Sequence, residues 1–110
     1  MRTLNRLLID LCNLLDENGL EYRYYQPDDD DHEFWVEIRP MPETRIDVII
    51  RDEDQVMFGP APLPYIVQSQ DRLDGSVDVR IPGACSTGYD ACALIRSEIE
   101  RFKKKASCGQ

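Results

Sequence analysis

The spacing of apolar residues changes twice along this chain of 110 residues. From Leu4 to Leu15 they recur every three or four positions, which is the repeat of an amphipathic helix. From Leu20 the repeat shortens to two, and short β-branched and aromatic runs alternate with turn residues, which predicts strands. The longer repeat returns between Cys92 and Phe102. The chain is therefore predicted to form a helix, a group of strands and a second helix.

The predicted strands are 20–26, 33–39, 45–51, a short 55–58, and a last strand over 77–81 that ends at Pro82-Gly83. The first breaks have hairpin lengths, so an antiparallel meander is expected. Residues 59–64 hold three prolines and are expected to be irregular. The segment 65–73 fits a strand, but Pro64 and Gly75 resemble helix boundaries and favour a short helix there.

Both helices carry boundary signals. Thr3 is a candidate N-cap and Gly19 suits a left-handed helix end, while Ser86 or Thr87 can cap the second helix. Because each helix has one apolar stripe, the predicted fold is α+β: a two-layer sandwich with an antiparallel sheet of about four to six strands and both helices packed on one face. A single domain over 1–105 with a flexible tail over 106–110 is expected.

The turn at 40–44 sets a register for the two strands beside it. It places Val36 opposite Val48 on the helix side, and Trp35 opposite Ile49 on the side that the helices leave uncovered. On that uncovered side it also places Glu37 opposite Asp47, a like-charged pair that diagonal arginines would offset.

The formal charge is −8, and all of it belongs to one third of the sequence. Between Gln26 and Phe58 there are eleven acidic residues and three arginines, whereas acids and bases balance elsewhere. Such a charge repels nucleic acid and anionic membranes and attracts basic protein surfaces. Direct nucleic-acid binding and membrane binding are therefore not expected.

Trp35 is the only tryptophan, and alternation places it on the charged side of the sheet. Tyr24 and Tyr25 point to opposite faces, so one of them is expected to join it. An aromatic group surrounded by charge is a candidate protein interface. Two alternatives remain at this point: an ordinary solvated face with ion pairs, or packing of Trp35 under the proline-rich segment.

Candidate chemistry is sparse. The run from Asp28 to Glu33 has metal-binding residue types, but consecutive aspartates without a glycine turn do not suit one ion, so no metal site is predicted. Cys85 lies in a small-residue stretch, 83–88, of the kind that lowers a cysteine pKa at a helix start, and it resembles a cysteine-phosphatase loop that lacks the arginine. No catalytic residue, enzyme activity or cofactor is predicted, and a small enzyme built on Cys85 is kept as a minor hypothesis.

The N-terminus lacks an unbroken apolar signal segment, and no apolar run approaches the length of a membrane span. The expected location is the cytoplasm, and the four cysteines are interpreted as thiols.

The favoured hypothesis is a small acidic, non-enzymatic inhibitor that occupies a basic, nucleic-acid-binding surface of a partner protein. In size and charge alone it is similar to nucleic-acid mimics of the anti-CRISPR and anti-restriction type from phages and mobile elements. The alternative is a chaperone or immunity-type protein that binds one dedicated partner, or a second copy, through the Trp35 face. The predicted partner-binding residues are Asp28, Asp29, Asp30, Asp31, Glu33, Trp35, Glu37, Asp47, Asp52, Glu53 and Asp54.

Overall fold

The computed structural model describes residues 3–27, 32–51 and 63–108. It has an antiparallel five-stranded sheet with an N-terminal and a C-terminal helix packed against it, so the predicted α+β fold is confirmed. The elements are α1 (Leu4–Glu17), β1 (Arg23–Tyr25), β2 (Glu33–Ile38), β3 (Thr44–Arg51), β4 (Tyr65–Asp71), β5 (Asp78–Cys85) and α2 (Gly88–Cys108).

Both ends of α1 follow the sequence signals. The Thr3 side chain accepts a hydrogen bond from the Arg6 backbone N–H at 3.2 Å, so Thr3 is the N-cap. Gly19 has φ 69°, and the Leu20 N–H donates to the Leu15 carbonyl at 3.0 Å. This is the Schellman end that a left-handed glycine permits.

The sheet is a meander in the order β1-β2-β3-β4-β5, with every neighbouring pair antiparallel. The register predicted for β2 and β3 is confirmed, with Val36 opposite Val48, Trp35 opposite Ile49 and Glu37 opposite Asp47. The Pro40 to Thr44 turn has the length that this register requires.

The preference for a helix over 65–73 is wrong, because residues Tyr65–Asp71 form β4. Its side chains alternate between buried and half-buried, and the strand is paired on both sides. The inward positions include Ser69 and Asp71, two polar residues that obscured the alternation in the sequence. Pro64 precedes a strand here, which its fixed φ also allows.

The predicted end of the last strand at Pro82-Gly83 is also wrong, because β5 continues to Cys85. A register shift opposite Val67 to Ser69 accommodates the proline, and β5 is an edge strand, where a missing N–H is tolerated. The first strand is shorter than predicted, spanning Arg23–Tyr25. The predicted strand at 55–58 lies outside the described residues.

The helix α2 begins after Thr87, whose hydroxyl accepts from the Asp90 N–H at 3.1 Å. It continues to Cys108, so residues 106–108, predicted to be tail, are helical.

The core lies between the helices and one face of the sheet. The Tyr65 hydroxyl donates to the Leu7 carbonyl at 2.7 Å and ties β4 to α1. Burying these apolar side chains is the main stabilising contribution to such a domain. The principal buried residues are Leu7, Leu11, Leu15, Val36, Ile46, Val48, Ile50, Val67, Ala91, Ile95 and Phe102.

Candidate protein-binding surface

The sheet face opposite the helices carries a continuous apolar row. Strand pairing aligns Tyr25, Trp35, Ile49, Ile66 and Ala84 side by side, one residue from each of the five strands. Because directly opposed residues on antiparallel strands project to the same face, these five side chains form one stripe across the sheet. We call this stripe the apolar row.

The aromatic end of the apolar row is partly open to solvent. The rings of Tyr25 and Trp35 stack with centroids 6.4 Å apart, and Tyr25 is 37% exposed. The Trp35 indole N–H donates to the Glu33 carboxylate at 3.1 Å. Tyr24 instead contacts Phe34 edge-on, so the prediction that one tyrosine joins Trp35 is confirmed for Tyr25. The rings present a preorganised aromatic surface of the kind found at interface hot spots.

Beside the apolar row, two buried carboxylates are bound by arginines. The Arg23 guanidinium lies 3.1 Å from the Glu37 carboxylate, and Arg39 donates to the same group. Arg45 lies 3.0 Å from Asp47 and 3.6 Å from Glu37, so it bridges both carboxylates. We call these five residues the arginine–carboxylate cluster.

The two carboxylates respond oppositely to this environment. Burial raises the pKa of Glu37, but hydrogen bonds from Arg39 and Arg23 and the charge of Arg45 outweigh it, so the pKa lies below its ordinary value. Burial also raises the pKa of Asp47, and there the hydrogen bond and charge of Arg45 do not offset it. With three arginines and two carboxylates, this part of the face does not carry the negative charge of the chain.

The predicted acidic residues therefore divide into two groups. Glu37 and Asp47 are buried and paired, and Glu33 is half-buried beside Trp35. Asp28–Asp31 and Asp52–Asp54 lie outside the described residues. Those seven account for most of the net charge, since the rest of the chain has 14 acidic and 13 basic residues.

The residues that flank these two acidic segments lie at one end of the sheet. Tyr25 ends β1 and Glu33 begins β2, while Arg51 ends β3 and Tyr65 begins β4. Glu33 is paired with Arg51 across β2 and β3. The stacked rings of Tyr25 and Trp35 are close to this end of the sheet, because Tyr25 is the last residue of β1.

A second ionic network, which the sequence did not predict, joins α2 to the sheet on the helix side. Asp71 is fully buried and accepts from Lys105 at 2.9 Å, and Lys105 also contacts Asp78 at 3.1 Å. The hydrogen bond to Asp71 raises the pKa of Lys105. Arg101 lies 3.8 Å from the second Asp71 oxygen, which has no hydrogen bond.

The same network continues along α2 at Glu98. The Ser69 hydroxyl donates to its buried carboxylate at 2.6 Å, and Arg101 and Arg80 lie 3.2 and 3.4 Å from it. Its acids are paired with bases from the same domain, so it holds α2 against β4 and β5. In the sequence, the polar residues Ser69 and Asp71 are two positions apart, on one side of a strand. Glu98, Arg101 and Lys105 recur at helical spacing, and these two patterns are the sequence signal for the network.

Cys85 is not at the start of a helix. It is the last residue of β5, it is buried, and burial raises its thiol pKa, which favours the unreactive protonated form. Cys12, Cys85 and Cys92 are free thiols.

Over residues 3–27, 32–51 and 63–108, no three His, Cys, Asp or Glu side chains are grouped as metal ligands.

Neither α1 nor α2 is both long and apolar enough to cross a membrane. The chain matches no protein-family model, no curated protein and no solved structure.

Proposed function

We propose that this protein is a non-enzymatic binding protein whose two acidic segments occupy a basic, nucleic-acid-binding surface of a partner protein. The observation that carries this proposal is the separation of charge. Seven carboxylates lie in two segments, 28–31 and 52–54, and neither segment contains a base. The strand ends that precede and follow these segments share one end of the sheet. The remainder of the chain is close to neutral. Runs of negative charge of this kind attract surfaces that normally hold phosphates.

The stacked Tyr25 and Trp35 rings support the same surface. Electrostatic attraction speeds association and selects basic partners, but buried aromatic anchors supply much of the affinity at protein interfaces. The two rings adjoin the end of the sheet that holds the described residues flanking the acidic segments. We therefore propose one continuous interface, with carboxylates steering the partner and Trp35 anchoring it.

Glu37 and Asp47 have a different role in this proposal. Arginines from three positions already bind their carboxylates, so they do not imitate solvated phosphates. They hold β1, β2 and β3 in register beside the aromatic rings.

An inhibitor of the anti-CRISPR or anti-restriction type, encoded by a phage or mobile element, fits this description. Its partners act on nucleic acid in the cytoplasm, where the free thiols of Cys12, Cys85 and Cys92 would remain reduced.

A second candidate function is favoured by the apolar row itself. An apolar stripe that crosses all five strands is also suited to one dedicated protein partner, as in a chaperone or immunity-type protein. In that case the acidic segments would contribute little to affinity, and binding would depend weakly on salt.

The test is affinity capture from the native host with two variants of equal charge. Asp28–Asp31→Asn removes four charges from one acidic segment. The control removes four exposed charges elsewhere, by Glu17→Gln, Glu21→Gln, Glu43→Gln and Glu100→Gln. Lysates are treated with nuclease so that bridging by nucleic acid is eliminated.

The proposal expects the wild type and the control to capture the same nucleic-acid-binding protein, and the Asp28–Asp31→Asn variant to lose it. Equal capture by both variants, or capture of a partner with no nucleic-acid-binding activity, would contradict the proposal.

A further inference from the structure

The strand β5 is an edge of the sheet with a long free side. It has eight residues, whereas β1 at the opposite edge has three. No strand in the described part of the chain pairs with its outer side. Free edges of this length present unpaired N–H and C=O groups that can accept another strand.

The free edge also exposes apolar side chains. Val79 and Ile81 of β5, and Val77 just before it, are 54%, 65% and 56% exposed. Val79 is paired with Gln70, which places it on the uncovered face, and alternation places Val77 and Ile81 on the same side. The register shift opposite Val67 to Ser69 limits the regular pairing of this part of β5 with β4 to Asp78, Val79 and Arg80, and Val77 and Ile81 lie on either side of it. The segment is therefore a short strand edge with three β-branched residues in water.

The order of residues in this segment is self-complementary. When two copies are aligned antiparallel with Val79 opposite Val79, each Val77 faces Ile81 of the other copy. Each Asp78 then faces Arg80 of the other copy. Every apolar residue meets an apolar residue and every charge meets its opposite, a pattern that stabilises antiparallel pairs.

Neighbouring registers lack this complementarity. Centring the pair on Asp78 would place two aspartates opposite each other, and centring it on Arg80 would place two arginines there, and like charges directly across a strand pair are destabilising. Both charged side chains remain about half exposed beside their internal partners, at 50% for Asp78 and 49% for Arg80. They are therefore accessible to a second chain.

We propose that β5 pairs with β5 of a second copy of this chain, antiparallel and with Val79 on the two-fold axis, to form a continuous ten-stranded sheet in a homodimer. The contact is isologous, so it closes at two copies and does not propagate. It lies at the edge of the sheet farthest from β1, so it does not depend on the proposed function and leaves the aromatic rings free. Because the proposed contact is confined to residues 77–81 of each chain, we expect a reversible dimer in the micromolar range.

Sedimentation equilibrium on the purified chain at 150 mM salt, from about 1 µM to about 500 µM protein, tests the dimer. The key variant is Val79→Lys, which places two ammonium groups together at the two-fold axis. The matched control is Tyr89→Lys, which makes the same kind of change at an exposed residue of α2.

The wild type and the control are expected to dimerise with the same Kd, and Val79→Lys to weaken the dimer by about tenfold or more, because like charges at an interface are strongly unfavourable. A wild type that stays monomeric up to 500 µM would overturn the proposal. A Val79→Lys variant that dimerises as tightly as the wild type would overturn it too.

Cross-linking provides a second test that does not depend on the stability of the lysine variant. In a Cys108→Ser background, Val79→Cys brings two thiols together across the axis, at a Cα separation that a disulfide can span. Mild oxidation is expected to give a covalent dimer with Val79→Cys and not with Tyr89→Cys. Equal or greater cross-linking at position 89 would contradict the proposed axis.

Discussion

Glu37 and Asp47 lie directly opposite each other on β2 and β3, and both carboxylates are buried on the sheet face that the helices leave uncovered. Two like charges in this position would destabilise the strand pair if they were alone. Arg45 contacts both of them, and Arg23 and Arg39 add to Glu37. The pairing therefore depends on guanidinium groups from three separate positions.

This arrangement predicts opposite pH effects for the two acids. The pKa of Glu37 is lower in the folded chain than its ordinary value, so its ionised form stabilises the fold above about pH 4.3, and this contribution is lost as pH falls through the lowered pKa. The pKa of Asp47 is raised, so its protonation on acidification favours the folded state.

The measurement is urea unfolding from pH 7 to pH 3. Glu37→Gln is expected to lower the free energy of unfolding at pH 7 by about 1 to 2 kcal/mol, because two of its three arginine partners, Arg23 and Arg39, are exposed and solvent weakens their attraction to the carboxylate. It should also make the decline of stability at acid pH shallower than in the wild type. Asp47→Asn should make that decline steeper. The same slope for both variants would contradict the pKa assignments.

The turn between β2 and β3 stores backbone strain at Glu43. This residue has φ 69°, a left-handed conformation that is unfavourable for a side chain with a Cβ. The Thr44 hydroxyl nevertheless closes the turn by donating to the Met41 carbonyl at 2.7 Å. Glu43→Gly should therefore raise the free energy of unfolding by about 0.5 to 1 kcal/mol.

Glu43→Gln is the control for that change, because it removes the same charge and keeps the Cβ. Thermal unfolding of both variants separates the two effects. A rise in Tm for Glu43→Gln equal to that for Glu43→Gly would show that charge, and not backbone conformation, limits stability at this turn.

Much of the fold could be predicted from the sequence where local signals were sufficient. The end of α1 required only Gly19, and the β2–β3 register followed from the length of the turn and the alternation beside it. The β4 strand was missed because its inward residue Asp71 is satisfied by Lys105, which lies 34 positions away. A charge at a buried position breaks the apolar pattern, and its partner is visible only in the folded chain.

The candidate site could also be predicted only where local signals were sufficient. Alternation placed Trp35 on the uncovered face and opposite Ile49. The contact of Arg23 with Glu37 depends on the β1–β2 register, which the aspartate-rich connection left undetermined in the sequence. The sequence therefore predicts Glu37 as a partner-binding residue, whereas three arginines bind it in the folded chain.

Trp35 provides a test of the proposed anchor. Trp35→Ala removes the ring stacked on Tyr25, and it should weaken binding to the captured partner by about 2 kcal/mol or more. Tyr89→Ala, at an exposed aromatic residue of α2, should leave binding unchanged. Calorimetry with the purified partner measures both. A Trp35→Ala chain that does not fold in the absence of partner would show instead that the ring belongs to the core.

The most direct test of the central claim is competition between this chain and nucleic acid for the captured partner as a function of salt. A labelled oligonucleotide bound to the partner reports displacement by fluorescence anisotropy. We predict that the wild type displaces the oligonucleotide and that the logarithm of its affinity falls steeply with the logarithm of salt concentration, with a shallower slope for Asp28–Asp31→Asn. Binding without displacement of the oligonucleotide, or with an affinity that is insensitive to salt, would contradict the account.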